Sequence, residues 1–199
     1  MRHHLNHKDT KNSLKLQLIE FFFRSLNFLK RKIFFYKKIN LDRTDIELTL
    51  NPKNFKKLNF KLPKGYNLRF FSEKDSFQFH LLLLKVDMGF CPISYWKKFI
   101  IPNGFLVVEK SKTKKIVGVG FAAVHPNSIF DEIGTIEWLA ADPKVFGLGI
   151  GPIIVSYLSE MLIKENFKKI RVNTQRYRKN VISMYEKMGW EIEKKIIKI

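Results

Sequence analysis

Three glycines, Gly147, Gly149 and Gly151, alternate with Leu148 and Ile150 between Phe146 and Pro152, and an apolar run follows at once. A backbone stripped of side chains at every second position, directly before a helix, suits an anion. The first turn of a helix carries N–H groups with no intrahelical acceptor and the positive end of the peptide dipoles, and glycine removes the Cβ that would hold a phosphate away. The chemistry indicated is the cradling of a pyrophosphate. Two common phosphate sites do not fit: the dinucleotide fingerprint needs glycine where Pro152 stands, and a P-loop needs a Gly-Lys-Ser/Thr that the chain lacks. Pro152 itself is tolerated, because its missing N–H would go unused in a first helical turn.

Two further residues have the right type for proton transfer. Glu137 is the only carboxylate in the apolar run Ile-Gly-Thr-Ile-Glu-Trp-Leu-Ala-Ala (residues 133–141), where burial would raise its pKa toward that of a useful base. A solvent-facing strand position is the competing reading. Tyr185 stands at helical spacing with Ile182 and Met188, which equally fits a ring in the core. His125 and Asp142, near strand ends, rank below these two. His3, His4 and His7 have no carboxylate support and read as a solvated tail, so no metal site is expected. The single cysteine, Cys91, excludes a disulfide framework and a cysteine-based zinc site, and it points to a reducing compartment.

Positioning these groups requires a regular series of elements that begins near Tyr66. Residues 66–71 read as a strand, 72–86 as a helix capped by Ser72, 104–110 and 115–124 as strands about a polar turn, and 133–141 as another strand. The glycine stretch and an apolar helix from Pro152 to Lys164 follow. Residues 168–174 form a strand, 180–188 a helix with Gly189 in the capping position, and 190–199 a final strand. The order is that of a mixed α/β sheet with the glycines between a strand and a helix.

At this point the chain resembles the GNAT superfamily of acyl-CoA-dependent N-acyltransferases. Its glycine motif, Gln/Arg-x-x-Gly-x-Gly/Ala, places its last two positions on Gly149 and Gly151. The likeness is closest to the mycothiol-synthase-type branch, whose C-terminal pattern is matched by Thr174, Arg178, Ile182, Tyr185 and Gly189, with Val181 and Trp190 as mild substitutions; it covers residues 66–199. The resemblance implies a mostly antiparallel central sheet with two splayed strands, flanked by helices. It implies acetyl-CoA as co-substrate and no metal. The pantetheine would lie between residues 136–142 and 169–174 and pair with the backbone of Leu139 and Ala141. Phe146, Gly147, Leu148, Gly149, Ile150, Gly151 and Arg178 would hold the rest of the coenzyme. Tyr185 would protonate the departing thiolate, and Glu137, or water in its stead, would accept the proton of the attacking amine. The acceptor implied is a primary amine of a small molecule, bound with help from residues 75–100. One departure stands out: Phe146 occupies the Gln/Arg position, which removes a polar side chain and leaves only its backbone N–H. A degenerate binding protein that docks on membrane or RNA through its N-terminal extension is the alternative function.

Net charge is +19, with 14 basic against 5 acidic side chains in residues 1–60 and 23 against 13 in residues 61–199. Of those 23, only Arg69, Arg171, Arg176 and Arg178 are arginine, and specific nucleic-acid sites lean on arginine forks, so nucleic acid is not the expected partner. Residues 1–64 read as a basic N-terminal extension ahead of a domain spanning 65–199. Within it, Leu14 to Lys38 reads as an amphipathic helix whose stripe is Leu14, Leu18, Phe21, Phe22, Leu26, Leu29, Ile33 and Tyr36, widened by Phe23, Phe28, Phe34 and Phe35. Burial of that stripe on its own domain or in a homodimer is the expectation; contact with an anionic membrane surface is the alternative. Leu41 to Lys64, with Pro52 and Pro63, reads as a polar connection. No run of 18 uncharged apolar residues occurs and the N-terminus lacks a signal-peptide pattern, so the compartment expected is the cytoplasm.

Overall fold

The computed structural model describes residues 7–34, 42, 44–126 and 132–193, and within the N-terminal helix the side chains of residues 14–29. Its elements are α1 (His7–Phe34), β1 (Asp45–Leu50), β2 (Tyr66–Phe70), α2 (Ser76–Lys85), α3 (Ile93–Trp96), β3 (Ile100–Lys110), β4 (Ile116–Val124), β5 (Ile133–Ala141), α4 (Ile150–Lys164), β6 (Lys169–Gln175), α5 (Lys179–Lys187) and β7 (Glu191–Glu193). From β2 onward this is the predicted order, with the short helix α3 added between α2 and β3. The predicted final strand is observed over Glu191–Glu193; residues 194–199 lie outside the described set, as do His3 and His4.

Seven strands form one sheet in the order β2-β3-β4-β5-β6-β1-β7. Every neighbouring pair is antiparallel except β5 and β6, so the sheet is mixed and mostly antiparallel, as the resemblance implied. The alternation of side chains in β3 divides two cores. Leu106 and Val108 join α4 and α5 on one face, while Phe105 and Val107 join α2 and α3 on the other. On the first face Ile150, Ile154, Leu158 and Leu162 recur at helical spacing along α4 and are fully buried. On the second, Phe79, Leu82 and Leu83 of α2 do the same.

The sequence reading of residues 41–64 as a connection is corrected by β1. Ile46, Leu48 and Leu50 alternate and are buried, and the strand pairs with β6 on one side and β7 on the other. The sheet therefore begins well before residue 65. Residues beyond β1 are also tied in, since Lys56 N–H donates to the carbonyl of Met188 at 3.0 Å.

The N-terminal helix forms, but a different face of it is buried. Leu16 and Phe23 pack inward, the Phe23 ring stacking on His80 at 5.1 Å and meeting Phe77 edge-on at 5.4 Å. Glu20 accepts hydrogen bonds from the Ser94 N–H and hydroxyl at 2.8 and 2.7 Å. Of the stripe expected to be covered, Leu14, Leu18, Phe21, Phe22 and Leu29 are exposed, Leu26 is half-buried and only the widening Phe23 is buried, while the side chains of Ile33, Phe34, Phe35 and Tyr36 lie outside the described set. Period-3.6 counting found the apolar positions but not that they form two opposed faces.

Helix α5 ends on Gly189 at φ +87°, where a Cβ would lie 2.0 Å from the carbonyl oxygen of Asn54. Left-handed backbone alone costs a non-glycine residue about 1–2 kcal/mol, and here a backbone atom blocks the side chain as well. Gly189→Ala is expected to lower stability by more than about 2 kcal/mol, read as a lower urea midpoint with an unchanged slope. A midpoint equal to wild type would show that the contact between Asn54 and the end of α5 does not constrain the fold.

Candidate active site

Strands β5 and β6 pair over only three positions, Ile133 with Lys169, Gly134 with Ile170 and Thr135 with Arg171. Beyond Thr135 no further pairs form among the described residues, and the strands part. The register between β4 and β5 also shifts between Val119 and Phe121, so Trp138 and Leu139 face Gly120 alone. This is a β-bulge, with Trp138 held at φ +52°, a conformation rare for a bulky residue. Past the bulge, Asp142 N–H donates to the Val117 carbonyl at 2.8 Å. Alternation along an antiparallel strand then turns the N–H and C=O of Ala141, and of Leu139, toward the gap.

That gap is a cavity of about 1570 Å³. Residues 136–141 of β5 and 172–175 of β6 form two walls, Arg178 to Tyr185 at the start of α5 contribute a third, and Lys85 to Met88 at the end of α2 contribute a fourth. The glycine turn closes one end.

The turn is built from Asp142 onward. Its carboxylate accepts from the Lys144 N–H at 3.0 Å, starting a 3₁₀ turn over Pro143–Val145, and receives Lys85 Nζ at 2.6 Å. Burial acts to raise its pKa, but Lys85 and the Lys144 N–H outweigh burial and hold it below the usual carboxylate range. Phe146 N–H donates to the Pro143 carbonyl at 3.2 Å and Leu148 N–H to Val145 at 3.3 Å. Ile153 N–H donates to Gly149 at 3.0 Å, closing the first turn of α4. The N–H groups of Gly147, Gly149, Ile150 and Gly151 have no backbone acceptor among the described residues. These four groups are the cradle.

The glycines serve different needs. Gly147 and Gly149 lie at φ +82° and +76°. A Cβ on Gly147 would meet open space, and one on Gly151 would meet nothing closer than Met184 Sδ at 3.9 Å. A Cβ on Gly149 would strike the Phe60 ring at 2.6 Å.

Two candidate proton carriers share the cavity. Glu137 is half-buried, accepts from Thr135 Oγ1 at 2.8 Å, and has its pKa raised by burial against that hydrogen bond. Tyr185 is 1% exposed, its ring 5.1 Å from that of Trp190 at 64°, and it still contributes to the cavity wall. Burial pushes its phenol well above the ordinary tyrosine range, and the charge of Glu137 pushes it further.

Residues 72–190, more than half of the chain, match the acetyltransferase (GNAT) family. The chain belongs to that family. No curated protein matches it in sequence. Solved structures share the fold. A GCN5-related N-acetyltransferase from Sphaerobacter thermophilus aligns at 11% identity and TM-score 0.59, over 81% of this chain and 52% of the other. An acetyltransferase from Trypanosoma brucei aligns at 22% and 0.55, over 67% and 98%. Ard1 from Thermoplasma volcanium aligns at 17% and 0.56, over 65% and 85%. The chain thus spans about half the length of the Sphaerobacter protein.

Within this GNAT domain most predicted site residues meet. Glu137, Leu139, Ala141, Gly147, Gly149, Ile150, Gly151, Arg178 and Tyr185 all line the cavity. Leu148 does not, and its N–H is spent on Val145. Phe146 lines the rim with its ring 68% exposed, but its N–H is engaged by Pro143 and is not free for a ligand, which corrects the sequence reading. Asp142 is an ion-paired turn former and His125 lies outside the cavity, its pKa lowered by burial and by Arg171. The charge that acts on Tyr185 is that of Glu137. The Trp138 bulge, Lys85 and the Thr44–Asp45 corner were missed. No local pattern marks a bulge at tryptophan, and the other two reach the cavity only through long-range packing.

The glycine geometry separates two substitutions that look alike in sequence. Gly149→Ala is expected to cost at least about 1–2 kcal/mol, with a further loss from displacing Phe60, whereas Gly151→Ala should leave the melting temperature within a degree or two of wild type. Equal melting temperatures for the two would contradict the Phe60 contact.

Proposed function

We propose that the chain transfers an acetyl group from acetyl-CoA to a primary amine of a small molecule. The observation that carries this reading is that an unpaired strand edge and a set of unengaged helix-start N–H groups open into one cavity. Pantetheine is a chain of amides, so it can pair with Leu139 and Ala141 as a strand would. The pyrophosphate suits the N–H groups of Gly147, Gly149, Ile150 and Gly151, with the cationic Arg178 also on the wall. The open space beside Gly147 and Gly151 is what such a ligand needs. When bound, acetyl-CoA supplies the acyl group as a thioester. Asp45, Asp87 and Glu137, which all line the cavity, favour a cationic amine as the acceptor.

Two of the proton transfers fall to the chain's own groups. Glu137, with its pKa raised by burial, is the base that takes the proton of the ammonium. Tyr185 is held neutral and carries the proton destined for the departing sulfur. The two are coupled: the Glu137 charge raises the Tyr185 pKa, so protonation of Glu137 lowers it. Tyr185 becomes a stronger acid as the amine becomes nucleophilic. A proton passed from Glu137 to the phenolate restores both groups, and the second proton of the amine, lost as the tetrahedral intermediate collapses to the amide, passes to water.

Titration calorimetry with coenzyme A tests the binding half. Wild type should bind, and Gly151→Asp, which adds bulk and negative charge to an open cradle, should abolish binding while remaining folded. Unchanged affinity in that variant would sink the reading of the cradle. Wild type that takes up no coenzyme A would leave the fold serving a binding role alone.

Kinetics test the proton carriers, with thiol release followed across an amine panel. Tyr185→Phe keeps the ring and should reduce kcat by ~10²-fold or more with little change in coenzyme affinity. Glu137 must be ionised to act, so activity should rise with pH through a limb lying above the ordinary carboxylate value, and Glu137→Gln should remove that limb. The stability effect has the opposite sense. A carboxyl whose folded pKa is raised contributes stability below its unfolded pKa and loses it as pH rises through the folded value, so Glu137→Gln should be the more stable protein at neutral pH. A Glu137→Gln variant with the wild-type pH profile would return the base role to water.

A further inference from the structure

Helix α1 carries two opposed apolar faces, and among the described residues only one is buried against the domain. Leu16 and Phe23 face the domain, with Phe23 fully buried. Leu14, Leu18, Phe21, Phe22, Phe28 and Leu29 are exposed, Phe21 to 72%. At ~100° per residue these six positions fall within an arc of about 120° centred opposite Phe23. From Leu14 to Leu29 the strip runs about 24 Å along the helix. Phe77 of α2, in edge contact with Phe23, is also exposed beside the helix.

We propose that this face of α1 seats on an anionic lipid surface. The flanks of the arc carry the charge this requires: Lys15 stands just beyond Phe22 on one edge and Arg24 just beyond Phe28 on the other, and both are exposed. Basic side chains bordering an apolar strip can reach the headgroups while the strip enters the acyl boundary. The sequence adds Lys30, Arg31 and Lys32 where the strip ends, and the chain as a whole carries +19. That charge opposes a second copy and favours a negative surface. Among the described residues no helix is long and apolar enough to cross a membrane, so the geometry is that of a helix lying in the interface. Anchoring through Leu16, Phe23 and the bond from Ser94 to Glu20 keeps the helix on the domain while its outer face is engaged.

The test uses the full-length chain and sedimentation with vesicles of phosphatidylcholine alone or mixed with phosphatidylglycerol. Affinity should be at least about tenfold higher for the anionic vesicles and should fall with added salt. The double variant Leu18→Ser and Phe21→Ser alters only exposed positions, so its circular dichroism and melting should match wild type while vesicle binding is lost. Lys15→Glu with Arg24→Glu should erase the preference for anionic lipid. Three results would overturn the proposal: no sedimentation with anionic vesicles at low salt; retained binding by the double serine variant, which would leave diffuse charge as the cause; or a concentration-dependent dimer abolished by that variant, which would make a second copy the occupant.

Discussion

The constraint on which the site depends is the short parallel pairing of β5 and β6. A strand that leaves its partner after three residue pairs exposes backbone donors and acceptors, and buried groups of that kind are expensive unless something pairs with them. The bulge at Trp138 fixes where the edge bends and which amides face the gap. Helix α4, which links the two strands, starts at the mouth of the same gap, so the unengaged N–H groups of its first turn fall beside the unengaged edge of β5. The open edge of β5 and the open start of α4 are therefore two consequences of one departure from regular sheet.

Burial governs the chemistry available inside that gap. Tyr185 packs against Trp190 as a core residue does, and the same packing that fixes its ring keeps the phenol neutral. The sequence posed core and catalysis as alternatives for this residue, but packing in the core does not keep its side chain off the inner wall of the cavity. Glu137 sits where desolvation outweighs one hydrogen bond from Thr135, the balance a base needs and a purely structural carboxylate such as Asp142 lacks. Asp142 has two cationic or N–H partners and is held ionised. Neighbours, more than burial, set the opposite pKa shifts of the two acids.

What was legible in the sequence followed from local rules. The alternation of apolar residues, the glycine run before a helix and the cap at Gly189 each rest on residues close in the chain, and they placed β2 to α5 and most of the cavity wall. The GNAT resemblance supplied the splay, which no periodicity reports. What was not legible depends on long-range packing or on backbone hydrogen bonds. Phe146 was expected to lend its N–H to a ligand, yet a 3₁₀ turn consumes it. Leu14, Leu18 and Phe21 were expected to be buried because their spacing is helical, yet the spacing does not say which of two apolar faces meets the domain. The pattern Ile46, Leu48, Leu50 was present, but the surrounding asparagines, lysines and prolines masked it.

The segment read as a connection turns out to complete the site. β1 inserts between β6 and β7, which supports the strand that forms one wall of the gap on the side away from β5. Thr44 accepts from Arg176 N–H at 2.9 Å, and with Asp45 it reaches the cavity wall. Farther along, Phe60 lies over Gly149 so closely that no side chain fits there. Gly149 thus answers two demands at once: its left-handed backbone turns the cradle N–H groups into the cavity, and its missing Cβ admits Phe60 on the opposite side. The cradle is held from behind by a residue that lies outside the matched family region, 72–190. A coenzyme site whose glycines are read only as space for phosphate would leave that second contact unexplained, and the stability of the turn would rest on Asp142 alone.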